Sequence, residues 1–303
     1  MTLQVSAVLS IHNRGQLFER ALAGYLWQTL PREQWEIVLV DDCSTEDLQR
    51  RYAHVLGQIN LRHVRLDHQR HALWKQRNPN WRPGEREDWF HTPALTINAG
   101  CALARGSVIC LCHPEILHAP ENFALATERL IQRQEKSFLF GLTYLGNGET
   151  DRWLSSRAHD WTREGWPAFL SAVNARGLQH FGPNELYWYT SFLPKAAVEA
   201  VRGVDFVYLH GVAAEDDDFR DRVALAGWQA QYATDIQGLH QDHSAESELH
   251  RDRTSWQWGE GLRRNREVYF HRRRNQQYPS VVNTEQPWEA LECVVEVQEY
   301  PLA

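Results

Sequence analysis

A histidine and a glutamate stand two residues apart, separated by a proline, directly after an apolar run. The run is Ile109–Cys112, and the polar pair is His113 and Glu115. Proline lacks the N–H that a sheet interior requires, so this position is typical of a strand end. An imidazole and a carboxylate at such a point are also a usual pair of metal ligands. The stretch therefore predicts either a plain turn or half of a metal site.

Four consecutive acids form a second reactive stretch, EDDDF, from Glu215 to Phe219. On the first turn of a helix these acids would complement the helix dipole, which is the purely structural interpretation. The apolar residues Phe219, Val223 and 225–228 follow at helical spacing and would fix which way that turn faces. We predict a helix that begins with the acids and holds a carboxylate in place for proton transfer.

The elements that must position these groups alternate between strand and helix patterns over the first ninety residues. Strands are expected at SAVLSI, EIVLV and LRHVRL, and helices at RGQLFERALAGYLWQTL and TEDLQRRYAHVLGQI, the second capped by Ser44 or Thr45. This order predicts an α/β fold with a mostly parallel central sheet and helices on both faces.

Ligands collect at the carboxyl ends of parallel strands. We therefore expect three groups of residues to converge on one crevice: the strand end from Ser10 to Asn13, the pair Asp41 and Asp42, and His113 with Glu115. A carboxylate at Asp42 would accept a hydrogen bond from the N3–H of uracil, which favours a uridine nucleotide. Thymidine and guanosine remain alternatives, because both present an N–H at a comparable edge.

Several segments, taken in chain order, resemble family 2 glycosyltransferases, whose fold is GT-A, a Rossmann-like α/β architecture. They are SAVLSIHNRGQLFERALAGYLWQTLP, WEIVLVDDCSTED, TPALTINAGCALARGSVICLCHPE, EAVRGVDFVYLHGVAAEDDDFRDRVALAGW and GLHQDH, spread over roughly residues 4 to 245. When Gly106 is aligned with the glycine of the family's ARG segment, His113 and Glu115 fall where the family has its aspartate-x-aspartate motif.

The resemblance implies a hexosyltransferase that takes a sugar from a nucleotide-sugar donor and inverts the anomeric carbon in a single displacement. It implies Asp216 as the catalytic base and Glu215 as a ligand of sugar hydroxyls. It also supports Asp42 as the residue that binds the base of a UDP-sugar. Ser10, Asn13, Asp41 and His113 are expected to complete the nucleotide site.

Departure of a diphosphate calls for positive charge, which a divalent cation supplies. Glu115 offers an oxygen ligand and His113 a nitrogen, and His240 or His243 could add a third ligand. Imidazole is a softer ligand than carboxylate, so the set favours Mn²⁺, with Mg²⁺ as the alternative. A second interpretation is that His113 ends a strand and that arginines replace the cation.

Composition and cysteine usage set wider limits. The 303 residues are 43% hydrophobic and carry a net charge of −7, as expected of a globular protein. No apolar run approaches a membrane span and no signal sequence is seen, so we expect a soluble cytoplasmic protein. Five cysteines without CxxC spacing are expected to be core residues rather than disulfide or zinc ligands.

We divide the chain into a GT-A glycosyltransferase domain, residues 1–245, and an extension, residues 246–303, that packs on the same domain. The extension is expected to contain a basic helix, DRTSWQWGEGLRRNREVYFHRRR, and an edge strand, CVVEVQEY. It would close over the site or form a subunit contact in a homo-oligomer.

The acceptor is open at this level. A glycan, a lipid-linked sugar or a cell-surface polymer suits the loop 68–91, which is rich in tryptophan and arginine. The segment from His250 to Arg274 carries eight arginines against three acids, which would suit a nucleic acid and a phage-type enzyme that glycosylates hydroxymethylated DNA bases. A module that binds a nucleotide or glycan without turnover is the alternative from another functional class.

Overall fold

The computed structural model describes residues 2–72, 76, 93–156, 166, 170–171, 178–209, 213–242, 256–278 and 288–303. Within these residues, one sheet contains the strands β1 Val5–Ile11, β2 Trp35–Asp41, β3 Asn60–Leu66, β4 Val108–Cys112, β5 Ile116–His118, β6 Ser137–Leu145, β7 Thr190–Pro194, β8 Gln229–His240 and β9 Val294–Tyr300. Their order across the sheet is β5-β8-β6-β7-β4-β1-β2-β3-β9.

The helices lie on both faces of this sheet. They are α1 Gly15–Leu26, α2 Leu48–Tyr52, α3 Ala94–Leu103, α4 Asn122–Thr127, α5 Gly148–Ser156, α6 Lys195–Ala200, α7 Glu215–Leu225 and α8 Trp256–Asn275. One apolar core joins the sheet to α1, α2 and α4, and the other joins it to α3, α6 and α7. The predicted α/β class, with a mostly parallel central sheet flanked by helices, is confirmed.

The central strands β4, β1, β2 and β3 run parallel. Ile11 pairs with Asp41, and Leu9 pairs with Cys112, so these three strands end at the same edge of the sheet. At the other end of these strands, Gly106 allows the chain before β4 to approach β1 closely. A Cβ at position 106 would lie only 2.6 Å from the backbone N of Ser6. The fold therefore brings the polar residues that follow β1, β2 and β4 to one place.

The second predicted helix is shorter than its sequence pattern indicates. It spans only Leu48–Tyr52 before a 3₁₀ turn, and Asp47, not Ser44 or Thr45, caps it. The reason is tertiary: the Ser44 hydroxyl accepts from Asn13 N–H, and Thr45 N–H donates to the Asn13 side chain. Both side chains that could cap the helix are engaged by the preceding strand end instead.

The C-terminal residues that the structure describes join the same layers. The expected edge strand is confirmed as β9, which pairs antiparallel with β3 at the end of the sheet. Helix α8 contacts α7. All five cysteines are buried and free, as expected. Among the described residues, no helix is long and apolar enough to cross a membrane.

Candidate functional site

Glu115 lies at the centre of the first half of the site. Its side chain is only 1% exposed, and its Oε1 accepts from the Arg14 guanidinium at 2.6 Å. His113 Nδ1 is 3.6 Å from the same oxygen, and His240 Nε2 is 3.4 Å from it. The structure thus brings together three of the residues expected to bind metal, and adds an arginine to them.

The backbone around Glu115 explains this convergence. After Pro114 the chain continues directly into β5, which pairs antiparallel with β8 so that Ile116 faces His240. The Gln241 side-chain amide donates to Glu115 O at 3.1 Å and to Leu17 O at 2.9 Å. Sheet pairing and a buried amide therefore fix Glu115 beside the end of β8.

Opposing effects act on the ionisation of Glu115. Burial raises its pKa, but the Arg14 charge and the His113 and His240 contacts outweigh burial and bring the pKa well below its usual value. Glu115 is therefore ionised at neutral pH.

The donor set of this corner fits a divalent cation. One carboxylate and two imidazoles, from Glu115, His113 and His240, suit a borderline-soft ion such as Mn²⁺. Among the described residues, two triads have all their ligand atoms within 4.8 Å of one another, and this set is not one of them. The side chains of Glu115, His113 and His240 would therefore have to move to coordinate one ion. His243 lies outside the described residues.

A second histidine-containing cluster belongs to the core. Ligand atoms of Cys110, Cys112 and His118 lie within 4.8 Å of one another, and all three residues are buried. The Asn122 amide donates to His118 Nδ1 at 3.3 Å, and its orientation is fixed by Gln237 N and O. His118 is thus held inside the core by Asn122, away from the polar residues that follow β1, β2 and β4.

The residues expected to bind the nucleotide end β1 and β2. The Asn13 backbone is left-handed, with φ 48°, and its side chain holds the turn after β2 through Thr45. Asp41 accepts from Ser44 N–H at 2.8 Å and so also supports that turn. Ser10 is half-buried beside Val40.

Asp42 is buried, and its carboxylate contacts the imidazole of His68. His12 Nδ1 donates to the Asp42 carbonyl at 2.6 Å. Most of the loop 68–91 that follows, including Trp74, Trp81 and Trp89, lies outside the described residues.

The acids of EDDDF form the first turn of α7, as predicted. Ala213 and Ala214, which precede it, have φ of 63° and 72°, a left-handed conformation that costs free energy in residues other than glycine. Glu215 is 8% exposed, and its Oε2 has no hydrogen-bond partner within the part of the chain that the structure describes. Asp216 is partly exposed.

Glu215 and Asp216 both hold their protons more tightly than ordinary carboxyls. Burial, with the Asp216 charge second, raises the pKa of Glu215 to about 8. Burial, with the Asp217 charge second, raises the pKa of Asp216 to about 6. At neutral pH the pair therefore carries one proton, on Glu215, and one charge, on Asp216.

The other two acids are structural. Asp217 pairs with Arg220 at 2.7 Å. Asp218 is fully buried and accepts from Tyr208, Arg222 and Arg272. The predicted apolar stripe is correct at Phe219 and Val223 but wrong at Leu225, which is exposed because it lies on the outer side of the last turn.

Helix α8 supplies side chains that bind the residues around the first turn of α7. The buried Asn265 amide donates to Tyr208 O at 3.2 Å and to Ala213 O at 3.1 Å. Arg272 donates to Asp205 at 2.8 Å and to Asp218 at 2.9 Å. The left-handed backbone before Glu215 is therefore supported by a side chain of the C-terminal helix.

Tyr189 links the two halves of the site. Its ring centroid is 5.1 Å from that of His113 and 4.7 Å from that of His240. Burial, followed by the charges of Glu115 and Asp216, raises the pKa of Tyr189. Tyr189 therefore contacts the metal-type corner and also feels the charge of Asp216 on the acid turn.

Sequence reasoning missed several residues of this site. Arg14 follows Asn13 at the end of β1, and its position after a parallel strand was the available signal. Tyr189 and Asn265 carry no local signal, because only tertiary contacts give them a role.

No family model and no curated protein matches this sequence. Solved structures do match. The mannosyltransferase PcManGT from Pyrobaculum calidifontis, in complex with GDP-Man and Mn²⁺, has a TM-score of 0.56 at 16% identity, over 96% of this chain and 68% of its own. The fold is GT-A-like.

A second structural neighbour is TarS from S. aureus. Its fragment 1–349 gives a TM-score of 0.55 at 13% identity, over 97% of this chain and 81% of the fragment. The same fragment in complex with UDP gives 0.54 at 14% identity, over 78% of this chain and 60% of that chain. At these identities the likeness is one of fold, and activity has to be argued from the site.

Proposed function

We propose that this protein is an inverting, family 2-type hexosyltransferase that moves a sugar from a nucleotide-sugar, with UDP as the expected nucleotide, to a hydroxyl of a glycan, lipid-linked sugar or cell-surface polymer. Proteins that bind GDP-Man, UDP or UDP-GlcNAc have the same fold. The main observation in support is the position of Tyr189. Its ring contacts His113 and His240, and its pKa is raised by burial and then by the charges of Glu115 and Asp216.

Asp216 is the proposed base. It takes the proton of the acceptor hydroxyl as that oxygen bonds to the anomeric carbon. The bond from this carbon to the phosphate oxygen breaks, and its electron pair leaves with the nucleoside diphosphate. Attack and departure on opposite faces invert the configuration. With its pKa near 6 Asp216 is ionised at pH 7, whereas Glu215, with a pKa near 8, retains a proton to donate to a sugar hydroxyl.

The corner at Glu115 is the proposed diphosphate site. His113, Glu115 and His240 would hold a divalent cation, Mn²⁺ in preference to Mg²⁺, which when bound offsets the charge of the phosphates. Arg14 adds a positive charge 2.6 Å from Glu115. His113 and Arg14 can therefore also donate to phosphate oxygens directly.

Asp42 is the proposed nucleobase acceptor, with the N3–H of uracil as its donor. His68 orients this carboxylate through the contact between its imidazole Nε2 and Asp42 Oδ1. Asn13 and Asp41 shape the turns around it, and Ser10 completes the end of β1.

The test is incubation of the purified protein with UDP-glucose, UDP-galactose, their N-acetylated forms and GDP-mannose, with Mn²⁺ or with a chelator. Release of the nucleoside diphosphate is measured. We expect turnover with one donor, and a loss of about 10³-fold in Asp216→Asn. Asp217→Asn, on the same turn and paired with Arg220, is the matched control and should retain most of the rate.

A readout of the metal that does not depend on activity is Mn²⁺ binding followed by electron paramagnetic resonance. Glu115→Gln should weaken it about tenfold or more. Nucleotide binding without turnover on every donor would contradict the enzyme and favour a binding module. Full activity of Asp216→Asn would exclude Asp216 as the base.

A further inference from the structure

Three aromatic rings form a cluster next to His113 and His240: Phe181, Tyr187 and Tyr189. Phe181 and Tyr189 are stacked, with centroids 5.0 Å apart and planes at 17°. Tyr187 lies edge-on to Phe181 at 5.0 Å and 5.7 Å from Tyr189. We call these three rings the aromatic platform.

The backbone fixes the platform in place. Phe181 N–H donates to Thr143 O in β6, and Tyr232 of β8 donates to Phe181 O at 2.8 Å. Tyr189 precedes β7 directly. A platform anchored to three strands is ordered before any ligand arrives, so little entropy is lost on binding.

The platform extends from the diphosphate corner to solvent. Tyr189, at the inner end, contacts His113 and His240. Tyr187, at the outer end, is 39% exposed. Burial and then the charges of Asp216, Asp217 and Glu185 raise the pKa of Tyr187, so its ring lies within the field of the acid turn. An exposed ring that packs against Tyr189 and feels the charge of the proposed base offers a surface for the acceptor.

The surroundings of the platform select the chemistry of its ligand. A pyranose ring has an apolar C–H face that packs on an aromatic ring, and hydroxyls at its rim that bind carboxyl groups. Glu215 offers such a group, because it is buried and its Oε2 has no partner among the described residues. Three acids, Asp216, Asp217 and Glu185, act on Tyr187 against one cation, Arg220, so the net negative charge disfavours phosphate-bearing ligands.

We propose that Phe181, Tyr187 and Tyr189 form the acceptor subsite, and that it takes an uncharged sugar ring with one hydroxyl directed at Asp216. This inference rests on the proposed function and narrows the acceptor to a neutral glycan, as opposed to a nucleic acid. Stacking on Tyr187 holds the ring, and the acid turn binds its rim.

The test measures binding, so it does not require turnover. Saturation-transfer NMR is recorded with the methyl glycosides of glucose, galactose, mannose and N-acetylglucosamine, in the presence of UDP and Mn²⁺. We expect one or more glycosides to bind wild type, Tyr187→Ala to weaken binding about tenfold, and Tyr187→Phe to retain most of it. Phe270→Ala, which removes a 47% exposed aromatic on α8, is the matched control.

UDP affinity reports that each variant is folded. The proposal is overturned if no glycoside binds wild type, if Tyr187→Ala binds as well as wild type, or if a thymidine oligonucleotide displaces the glycoside. Glycoside binding that depends on Tyr187 in a protein without donor turnover would support the subsite and contradict the transferase. Turnover with an acceptor KM unchanged in Tyr187→Ala would overturn the subsite alone.

Discussion

Glu215 and Asp216 are neighbours on one helical turn, yet they hold their protons over different pH ranges. Glu215 is buried and Asp216 partly buried, and each feels the charge of an adjacent acid. The pair titrates as a unit, with its first ionisation near 6 and its second near 8. A single turn thereby supplies a charged base and a neutral hydrogen-bond donor at the same pH.

The first prediction is a pH profile. Because the pKa of Asp216 is raised to about 6, it is protonated below that pH and cannot accept a proton. We expect kcat/KM to rise about tenfold per pH unit below 6 and to level off above it. Steady-state rates from pH 5 to 8 with saturating donor check this. An acid limb near pH 4 would show that burial does not act on Asp216 as described.

The second prediction separates the two carboxyls. Glu215 has a folded pKa of about 8 against 4.5 for a free side chain, so the folded protein keeps a proton that the unfolded chain loses. The contribution of this bound proton to the free energy of unfolding is complete below pH 4.5 and is lost as the pH rises towards 8. The stability of the protein therefore falls over that pH range. Glu215→Gln imitates the protonated form and should raise Tm at pH 8 by several degrees while leaving Tm at pH 4.5 unchanged.

The catalytic rates of variants at Glu215 and at Asp216, the proposed base, should also differ. Glu215→Gln should retain part of its rate at pH 7, since the native residue is already neutral there, whereas Asp216→Asn should not. An equal loss in both variants would contradict the division of roles. Thermal unfolding at the two pH values and initial rates at pH 7 are the measurements.

Among the elements, α7 and α8 form a coupled pair. Helix α7 presents the acids, and α8 supplies Asn265 and Arg272 to the residues around its first turn. Tyr269 and Tyr278 both donate to Asp221 on the outer part of α7. The left-handed residues before Glu215 would relax without such support, which would move the proposed base.

The third prediction tests this coupling. Asn265→Ala leaves two backbone carbonyls without their donor and should cost about 1–3 kcal/mol of stability. It should lower kcat about tenfold with UDP affinity unchanged, since a small displacement of a catalytic group is costly. Asn265→Asp keeps the shape but removes the donor, so it should behave no better than alanine. Arg266→Ala, one residue along on the exposed face, should match wild type.

On the scale of the whole molecule, charge distribution bears on the acceptor. The net charge is −7, and two arginines of the basic segment are already paired with acids. Arg263 pairs with Glu260 and Glu267, and Arg272 with Asp205 and Asp218. Residues 250–255 of that segment lie outside the described part of the chain. Part of the apparent positive patch is therefore neutralised locally.

The fourth prediction is weak binding to DNA. A protein that neutralises many phosphates loses affinity steeply with salt, with a slope proportional to the number of phosphates contacted. Paired arginines on an acidic protein release few counterions, so we expect a shallow slope and only weak binding at low salt. Fluorescence anisotropy with a duplex over a range of salt concentrations measures it. A steep slope would support the DNA-modifying alternative.

Many of the strands and helices follow from local sequence patterns. The strands at SAVLSI, EIVLV and LRHVRL, the helix that begins with Glu215, and the edge strand β9 all lie where the sequence predicts them. Alternating elements imply a parallel sheet, and a parallel sheet implies that β1, β2 and β4 end together. The predicted helix after Asp42 begins later than its pattern indicates, because Asn13 engages Ser44, a contact between residues 31 apart in sequence.

The sequence by itself determined the α/β architecture and the edge of the sheet at which His113, Glu115 and the residues after β1 and β2 gather, because hydrophobic periodicity and turn chemistry act over a few neighbours. Only the tertiary structure decided that Arg14 neutralises Glu115, that His68 pairs with Asp42 and that Tyr189 spans both halves of the site. Such contacts depend on packing between distant segments, and protonation depends on the burial that packing creates.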